Sequence, residues 1–516
     1  MTMSTNFDTN AADGIEIDSI FSSAVAYGTA DDANNQRRNK KYRQVKSLVF
    51  VSTAVVAVIF GWTAFSGMNQ PNYAVQGNEM MERNLAKSTK APTVPATAAP
   101  VATAAPVAKS TKAPTVPATA APVAKSTKAP TVPATAAPVA KSGKVHAVRN
   151  GDSIQDAIDL AEPGDTIKVW PGSYTEPASP KYGLRITKND IKLVAKGKPG
   201  RVRLLASNVQ ETGVYAAPDG CEYEDTSCDD VLQGFSIKGF SVEGFPANGI
   251  QTRWVDSFKF QNCYSVDNLN NGIYPTLSSN GSIVGCKSHG SLAAGLSVDG
   301  SVDVTAFDNE IYNSTTGFEV TVSKNVYATN NHIHGNVVGI GLYHPFMAGT
   351  TPDYSSYDNW VFENNLVYDN NLRPNPAPPG TFRAALFPGV GLLLFGVSNH
   401  TIQDNIFKNH EWAGVIVAGF CTVQVLGFQS NCIATPPSNG DPSANFNTIA
   451  DNKFAGNGAN PPFGLPGDIL YAQQPTELLP PGIDQNCFSD NTSLDGSENA
   501  YGATLGLPLP TACDDV

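Results

Sequence analysis

Apolar and polar positions alternate in short segments through residues 145–516, and the segments repeat at steps of 22 or 23 residues. One column of the repeat is a glycine followed by an apolar residue, at Gly249, Gly272, Gly295, Gly317, Gly339, Gly391 and Gly414. The intervening segments are rich in β-branched residues and are separated by Gly, Asn and Ser turns, a pattern typical of strands. Helical repeat units need about 33 residues or more, so steps of this length disfavour a helical solenoid. The pattern therefore predicts an all-β parallel β-helix, in which three short strands and three turns make one coil.

A second column of the repeat lies near a turn. It keeps the same register as the glycines and contains Cys263, Cys286, Asn309, Asn331, Asn365, Asn405, Asn452 and Asn486. Neighbouring strands lie ~4.8 Å apart, so an Asn in such a turn can hydrogen-bond to its copies on the coils above and below. We interpret this column as structural and assign it no chemistry.

The beginning of the repeat region predicts a cap for the solenoid. Asp152 and Ser153 offer an N-cap to the amphipathic segment IQDAIDLA, so we expect a helix there. A Pro-Gly turn then leads into the strand segment TIKVW. Since a solenoid needs its open end covered, we expect this helix to be a capping helix.

The first 65 residues predict a membrane anchor. Residues 1–46 are polar and without periodicity, as in a disordered tail, and end in six basic residues. Residues 47–65, SLVFVSTAVVAVIFGWTAF, carry no charge and match the ~20 residues of a transmembrane helix. The next basic residue is Arg83, so the positive-inside rule predicts a cytoplasmic N-terminus and a single-pass type II protein. A cleaved signal peptide is the alternative, which the long preceding tail disfavours.

Residues 66–144 predict a stalk. The unit KSTKAPTVPATAAPVA begins at Lys87, Lys109 and Lys125 and, truncated, at Lys141. Frequent Pro favours extended polyproline II, and the Ser, Thr and Pro content is typical of an O-glycosylated stalk. A bare flexible linker is the alternative. Either would separate residues 145–516 from the membrane, in the secretory lumen or at the cell surface.

The charge excludes one class of partner. The net charge is −12 over the chain, and residues 145–516 hold 19 Lys and Arg against 38 Asp and Glu, a net charge of −19. Proteins that bind nucleic acid need a basic face. We therefore expect no nucleic-acid partner.

Cysteines and glycosylation sequons fit an ectodomain. All eight cysteines lie after residue 145, on the side of the membrane where disulfides persist. We predict three disulfides: Cys221–Cys228, Cys421–Cys432 and Cys487–Cys513. Cys263 and Cys286 share one column on adjacent coils, close enough to bond, and could equally remain free thiols. Four Asn-x-Ser/Thr sequons, at Asn280, Asn313, Asn399 and Asn491, support the same topology.

A longer stretch carries a family resemblance. The segment SIQDAIDLAEPGDTIKVWPGSYTE, followed by coils that end in Asn-Asn or Asp-Asn, resembles the right-handed β-helix family, which includes pectate-lyase-like proteins and mannuronan C5-epimerases. The resemblance covers residues 145–500 and implies the fold, with a polysaccharide or other glycan as partner. The matching epimerase coil reads Tyr-Gly-Phe-Asp-Pro-His. Here residues 271–276 retain its Gly and Pro, whereas Tyr274 and Thr276 replace the catalytic Asp and His.

One strand face is the candidate site. After each column glycine, alternate residues point outward, and over five coils the outward residues are polar. Those that carry chemistry are Arg253, Tyr274, Asp299, Glu319, Tyr343 and His344. We expect a long shallow groove that a linear polymer could follow, with the insertion 345–388 as a wall. On the next two coils the outward residues become apolar.

Three kinds of chemistry remain open on this face. Asp299 and Glu319 lie diagonally on adjacent coils, with carboxyl groups ~5–10 Å apart, a range that includes both glycosidase geometries. The same oxygens could bind Ca²⁺ or could simply be solvated. A polysaccharide lyase or epimerase would instead need a carboxylate-neutralising cation, such as Arg253, and proton-transfer groups such as Tyr274, Tyr343 or His344.

The other histidines give weaker evidence for a functional site. Ser288-His289-Gly290 is similar to the Gly-His-Gly of polygalacturonases, but the paired Asp and Arg-Ile-Lys motifs of those enzymes are missing, and we interpret His289 as structural. His332 and His334 point the same way without further ligands nearby in sequence. Two functions therefore stand: a carbohydrate-active enzyme, or a non-catalytic glycan-binding or structural rod on a stalk.

Overall fold

The computed structural model describes residues 143–176, 181–207, 209–223, 225, 227–343, 357–379, 381–419, 444–461, 467–472 and 486–496. The predicted tail (1–46), the transmembrane segment (47–65) and nearly all of the stalk (66–144) lie outside these residues. None of the helices within them has the length and hydrophobicity of a membrane span.

Three parallel sheets run the length of the described domain, and each coil contributes one strand to each sheet. The first sheet contains, in spatial order, β1 (Val145–Val148), β2 (Thr166–Val169), β5 (Ile191–Ala195), β8 (Leu232–Lys238), β11 (Val255–Gln261), β14 (Ser279–Val284), β17 (Val302–Phe307), β20 (Lys324–Thr329), β23 (Asp358–Glu363), β26 (Thr401–Gln403), β29 (Thr448–Ala450) and β32 (Cys487–Ser489).

The second sheet contains β3 (Gly172–Tyr174), β6 (Val202–Leu205), β9 (Phe240–Glu243), β12 (Tyr264–Val266), β15 (Lys287–His289), β18 (Glu310–Tyr312), β21 (His332–His334), β24 (Leu366–Tyr368), β27 (Ile406–Lys408), β30 (Lys453–Ala455) and β33 (Thr492–Ser493). The third contains β4 (Tyr182–Ile186), β7 (Thr212–Ala216), β10 (Ile250–Arg253), β13 (Ile273–Thr276), β16 (Ala294–Asp299), β19 (Thr316–Thr321), β22 (Val338–Tyr343), β25 (Val390–Phe395), β28 (Ala413–Ala418) and β31 (Gly467–Ala472).

The register of the third sheet follows the repeat. Ile273 pairs with Leu296, Leu296 with Phe318, and Phe318 with Ile340. These side chains are buried in one core that extends along the bore of the solenoid. The predicted parallel β-helix with a coil of 22 or 23 residues is therefore confirmed.

The glycine column is required by close approach between coils. A Cβ atom on Gly317 would lie 2.5 Å from the carbonyl oxygen of Gly339 and 2.7 Å from Nδ2 of Asn336. Such distances are too short for any side chain. Only glycine lets the third sheet begin so close to the stacked amides of the neighbouring turn.

Those amides form continuous ladders. Asn365 donates from its backbone N–H and from Nδ2 to Oδ1 of Asn405, at 2.9 and 3.0 Å, and Asn405 donates in the same way to Asn452. The ladder then continues to Asn491. Asn486 was wrongly placed in this column, because it accepts instead from Asn447 in a second ladder. Every amide is buried and bonded, so the column is structural, as predicted.

The first turn of the domain holds a short helix. Helix α1 (Ile154–Leu160) begins at the N-cap Ser153, whose hydroxyl accepts from the backbone N–H of Asp156 at 3.0 Å. The carboxylate of Glu176 accepts from the N–H of Ile154 at 2.8 Å. Ile154 and Ile158 bury their side chains in the solenoid core. The helix therefore packs over the first coils.

The cysteines agree with the predictions where they are described. Cys221 and Cys228 form a disulfide, and Cys487 is also disulfide-bonded. Cys513, its predicted partner, and the predicted pair Cys421–Cys432 lie outside the described residues. Cys263 and Cys286 are free and buried, which settles the pair that the sequence left open.

Candidate functional site

The outer face of the third sheet carries the five described candidates. Gln251 pairs with Tyr274, Ser297 with Glu319, and Asp299 with Thr321. The outward residues of each strand therefore form two parallel rows across the coils. Arg253, Tyr274, Asp299, Glu319 and Tyr343 belong to these rows, as the alternation predicts. His344 lies outside the described residues.

Asp299 is the centre of a hydrogen-bonded group. The hydroxyl of Tyr274, on the preceding coil, donates to Oδ2 of Asp299 at 3.0 Å. The hydroxyl of Thr321, on the following coil, donates to Oδ1 at 2.8 Å. Tyr274 and Asp299 are partly exposed, whereas Thr321 is buried. Three coils thus hold one carboxyl group in a fixed orientation at the surface.

The surroundings shift both ionisable groups. Burial raises the pKa of Asp299, and the charge of Glu319 acts in the same direction, while the bonds from Thr321 and Tyr274 oppose the shift. Burial and the adjacent Asp299 also raise the pKa of Tyr274 well above its ordinary value. Around neutral pH, Tyr274 therefore keeps its proton and donates a hydrogen bond. Asp299 is a stronger base than an ordinary aspartate.

Glu319 is held by an arginine from a distant segment. Arg383 donates from Nε to Oε2 of Glu319 at 3.0 Å and from Nη2 to Oε1 at 2.5 Å. Its guanidinium therefore binds both carboxylate oxygens. Only 3% of the Glu319 side chain is exposed, against 29% for Arg383. Burial alone would lower the pKa of Arg383, but the charge and hydrogen bonds of Glu319 outweigh it and raise the pKa.

Arg383 belongs to a strap that covers the apolar end of the face. The strap, residues 381–387, contains a 3-10 helix (Phe382–Ala385). Asn375 holds it by donating to the carbonyls of Arg383 and Leu386, at 2.9 and 3.0 Å. Beneath the strap lies a second hydrophobic core, formed by outward residues of the last coils: Tyr343, Leu393, Phe395, Ile416 and Ala418. The strap therefore packs on the outward residues that the sequence predicted to be apolar.

Two expectations for this region were wrong. Tyr343 was expected in an open polar groove, but the strap buries it to 1% exposure. Its ring packs edge-on to Phe382, and its hydroxyl lies 3.3 Å from Oγ1 of Thr316. Residues 345–388 were expected to be one insertion that walls the groove. Their last part, the strap, does fold over the face, but they also contain β23 and β24, which complete a regular coil.

Arg253 lies at the opposite edge of the face. Its Nη2 donates to the carbonyl of Asp225 at 2.5 Å, and its guanidinium lies over the ring of Trp254, 4.4 Å from the centroid. Its Nε is buried and has no hydrogen-bond partner among the described residues. The positive charge of Arg253 acts on Asp299 and partly offsets the raised pKa.

Asp225 belongs to a second cover, which we name the disulfide loop: the described residues between β7 and β8 around the Cys221–Cys228 bond. Arg185 holds this loop through the carbonyls of Ala217 and Pro218, each at 2.8 Å. Sequence reasoning missed this cover. The spacing of the two cysteines indicated a loop but gave no position for it on the third sheet.

His289, His332 and His334 lie on the second sheet, away from this face. His289, Tyr312, His334 and Tyr368 form a stacked ladder on the second sheet, with ring centroids 4.7–5.1 Å apart. His334 lies 3.6 Å from Glu310. Within the described ranges, no group of three or more His, Cys, Asp or Glu side chains is arranged to hold a metal ion. Ca²⁺ binding by Asp299 and Glu319 was one possibility from the sequence. In the structure, the guanidinium group of Arg383 is the cation bound to Glu319.

Comparisons with known proteins agree with the fold. Residues 206–347 and 248–430 match the family described as "Right handed beta helix region". This match confirms the right-handed β-helix that the sequence resembles. No curated protein sequence matches the chain.

Solved structures with a similar fold come from several sources. The mannuronan C-5 epimerase AlgE4 A-module of Azotobacter vinelandii is 16% identical, with a TM-score of 0.46, over 66% of this chain and 90% of that one. The family 28 exopolygalacturonase of Yersinia enterocolitica is 12% identical, with a TM-score of 0.44, over 68% and 72%. The tailspike protein of E. coli bacteriophage HK620 is 12% identical, with a TM-score of 0.43, over 66% and 57%. Likenesses this distant transfer no activity or residue role to this chain.

Proposed function

Since this chain carries a right-handed β-helix, we propose that the face around Asp299 binds a carbohydrate polymer and acts on it as an enzyme. The observation that carries the proposal is the Tyr274–Asp299 hydrogen bond of 3.0 Å between two partly exposed side chains. A carboxyl group with a raised pKa beside a proton donor is typical of acid–base sites. The strap and the disulfide loop flank this pair, as walls usually flank a ligand site.

The contacts favour one reaction class among those left open by the sequence. Hydrolysis by the usual pair of carboxyl groups needs both to be free. Both oxygens of Glu319 are bound by Arg383. Asp299 accepts hydrogen bonds from two hydroxyl groups but forms no ion pair among the described residues. A single base beside a tyrosine and an arginine fits proton abstraction next to a carboxylate, as in a polysaccharide lyase or epimerase.

The proposed step uses groups that are already in place. Arg253 binds the carboxylate of a uronate residue and offsets the charge that develops when the adjacent carbon loses its proton. Asp299 accepts that proton. In elimination, the bond from the ring to the glycosidic oxygen breaks, and Tyr274 protonates the leaving oxygen, which leaves an unsaturated chain end. Epimerisation would need a donor on the other face of the sugar, and Tyr274, 3.0 Å from Asp299, lies on the same side as the base.

We further propose that this domain lies outside the cytoplasm on a stalk. Residues 47–65 would anchor a type II protein, with residues 66–144 as spacer. The disulfide Cys221–Cys228 supports an oxidising compartment, because such bonds are rare in the cytosol.

The proposal is tested with the full-length protein purified in detergent, incubated with polyuronates and neutral glycans, with and without Ca²⁺. Because residues 145–516 are acidic, Ca²⁺ could be needed to bridge a polyanion to the protein. Absorbance of unsaturated ends reports a lyase, and NMR of the sugar configuration reports an epimerase. Asp299→Asn should abolish turnover, whereas Asp308→Asn, an exposed turn position between β17 and β18, should retain it.

A non-catalytic glycan-binding rod is the second candidate. The burial of Tyr343 and the pairing of Glu319 favour it, because they remove two groups from the possible catalytic set. Retention of a glycan without turnover, equal in wild type and Asp299→Asn, would support binding alone. Absence of binding to every glycan tested would contradict both candidates.

A further inference from the structure

Charge is divided unevenly along the solenoid. Residues 166–210, in the early coils, hold nine Lys and Arg against two Asp and Glu, a net charge of +7. This leaves ten Lys and Arg against 36 Asp and Glu for the rest of residues 145–516, a net charge of −26. A basic region on so acidic a domain creates a local positive field, which attracts anions to that region alone.

Many of these cations gather at the corner where the chain passes from the first sheet to the second. Lys168 and Lys238 point outward from β2 and β8, on either side of Val194 in β5. Arg149 follows β1, and its guanidinium lies over the ring of Trp170, 4.7 Å from the centroid. We name this surface the basic corner: Arg149, Lys168, Lys196, Lys198, Arg201 and Lys238. It crosses four successive coils, about 14 Å at the spacing of parallel strands.

Half of the cations in the basic corner lie on one loop, residues 196–201 between β5 and β6. On later coils the same turn has two residues, as between β11 and β12. Near the start of the loop, the N–H of Lys196 donates to the carbonyl of Val169 at 2.8 Å. Near its end, the N–H of Gly200 donates to the carbonyl of Gly239 at 2.9 Å. The loop is therefore held to the coils on both sides while its charged side chains face the solvent.

The cations of this loop are not neutralised by the protein. Lys196, Lys198 and Arg201 are exposed, and none of them forms an ion pair with a residue that the structure describes. Arg203, on the adjoining strand β6, differs because its guanidinium binds Glu243. Like charges that lie together without counter-ions repel one another. A bound polyanion would remove this repulsion, so the basic corner favours an anionic ligand.

We propose that the basic corner is a second binding site, which holds a linear acidic polysaccharide. Its carboxylate or sulfate groups would meet cations on successive coils. The site is separate from the face around Asp299, because the corner joins the first two sheets and the third sheet lies across the bore from it. The corner therefore anchors the polymer without acting on it, a role that goes beyond the proposed catalytic function.

The compartment decides between polysaccharide and other polyanions. We place this domain outside the cytoplasm, and the disulfide Cys221–Cys228 supports that location. There the basic corner is separated from cytoplasmic nucleic acid and from the anionic lipids of the cytoplasmic leaflet. Acidic polysaccharide is the linear polyanion that remains.

Affinity for immobilised polysaccharide tests this site. The full-length protein in detergent is applied to polyuronate, to a sulfated polysaccharide and to neutral dextran, with a chelator present so that Ca²⁺ cannot bridge. We expect binding to the two acidic polymers that weakens as salt is added. The loop variant Lys196→Gln/Lys198→Gln/Arg201→Gln should lose about tenfold in affinity. Its thermal midpoint should stay unchanged, because these side chains are exposed.

The matched control removes three exposed lysines from other coils: Lys259→Gln, Lys408→Gln and Lys453→Gln together. It changes the net charge by the same amount and should keep the wild-type affinity. Equal weakening by both triple variants, no weakening by the loop variant, or equal binding of wild type to dextran would overturn the site. Tighter binding to double-stranded DNA or to anionic lipid vesicles than to polyuronate would overturn the assigned partner.

This site and the proposed catalytic function fail separately. Binding that depends on the loop, without turnover of any polymer, would support the basic corner and contradict catalysis. If polyuronate is turned over, the loop variant should keep wild-type turnover of short oligouronates, which do not reach from the corner to the third sheet, while its KM for long polyuronate rises. Loss of turnover on the short substrates would contradict the separation of the two sites.

Discussion

Arg383 binds both carboxylate oxygens of Glu319 across 64 residues of sequence. This ion pair joins the strap to the third sheet at the point where the face changes from polar to apolar. It also distinguishes Glu319 from Asp299, whose oxygens accept only from the hydroxyl groups of Tyr274 and Thr321. One contact thus fixes the strap and decides which of the two carboxyl groups is ion-paired.

Breaking this pair from the arginine side should be costly. In Arg383→Met, Glu319 stays buried without a counter-ion, and we expect a loss of about 3 kcal/mol in the free energy of unfolding. Replacing both partners, as Glu319→Leu with Arg383→Met, should recover most of the loss, because no buried charge remains. The thermal midpoints of the two single variants and the double variant measure the coupling.

The matched control is an exposed pair. Arg203 and Glu243 lie on the second sheet, with 48% of the arginine side chain exposed, and Arg203→Met should change the midpoint little. If Arg383→Met were as mild as Arg203→Met, the strap would not depend on this ion pair.

The charged form of Asp299 should lower the free energy of unfolding at neutral pH. Its pKa is raised in the folded protein above the ordinary value of 3.8, so folding favours its protonated form. The stability linked to this group is fully present below pH 3.8 and is lost as the pH rises through the raised pKa. Asp299→Asn should therefore melt higher than wild type at pH 7, with the difference shrinking toward pH 3.8. A wild type that melts higher than Asp299→Asn at pH 7 would refute the raised pKa.

How much was visible in the sequence depends on whether a feature repeats. The glycine column, the coil length and the outward rows through Tyr274 and Asp299 follow from periodicity, and the structure has them. Asn486 and Asn491 lie five residues apart beyond several insertions, so spacing could not decide which one continues the ladder. Arg383 contacts Glu319 once, through a segment with no repeat, and no periodicity reports such a contact.

The same reasoning explains the error for Tyr343. Its position on the outward row was right, but its exposure depended on the strap, whose docking is not a property of the repeat. The apolar outward residues Leu393 and Ile416, beside the insertion expected to wall the groove, were a signal that something covers this end, because exposed apolar faces of this size are rare.

The Asn ladder can be lengthened by design. Cys263 donates from its N–H to Sγ of Cys286 at 3.3 Å, whereas Cys286 donates to Oδ1 of Asn309 at 2.9 Å. In Cys286→Asn, the new Oδ1 should accept from Cys263, and the new Nδ2 should donate to Asn309. We expect stabilisation of about 1 kcal/mol, measured by chemical denaturation.

The reverse substitution is the control for this design. Asn309→Cys removes the donor to Asn331, at 2.9 Å, and the donor to the carbonyl of Ile283, at 3.0 Å, and should destabilise by about 2 kcal/mol. A destabilised Cys286→Asn would show that the ladder ends at Asn309 for reasons of packing rather than of hydrogen bonding.

Glycosylation would test the proposed topology and the ladder together. Asn280, within β14, and the turn residues Asn313 and Asn399 are exposed and have positive φ. In contrast, Asn491 is 5% exposed and donates from Nδ2 to the carbonyl of Ile449 at 2.7 Å. A glycan is attached through that nitrogen, so a glycosylated Asn491 could not join the ladder. In a eukaryotic host, glycopeptide mass spectrometry should find glycans on the three exposed sites and none on Asn491. A glycan on Asn491 would contradict the last rung of the ladder. Bare asparagines at all four sites would instead contradict a domain in the secretory lumen.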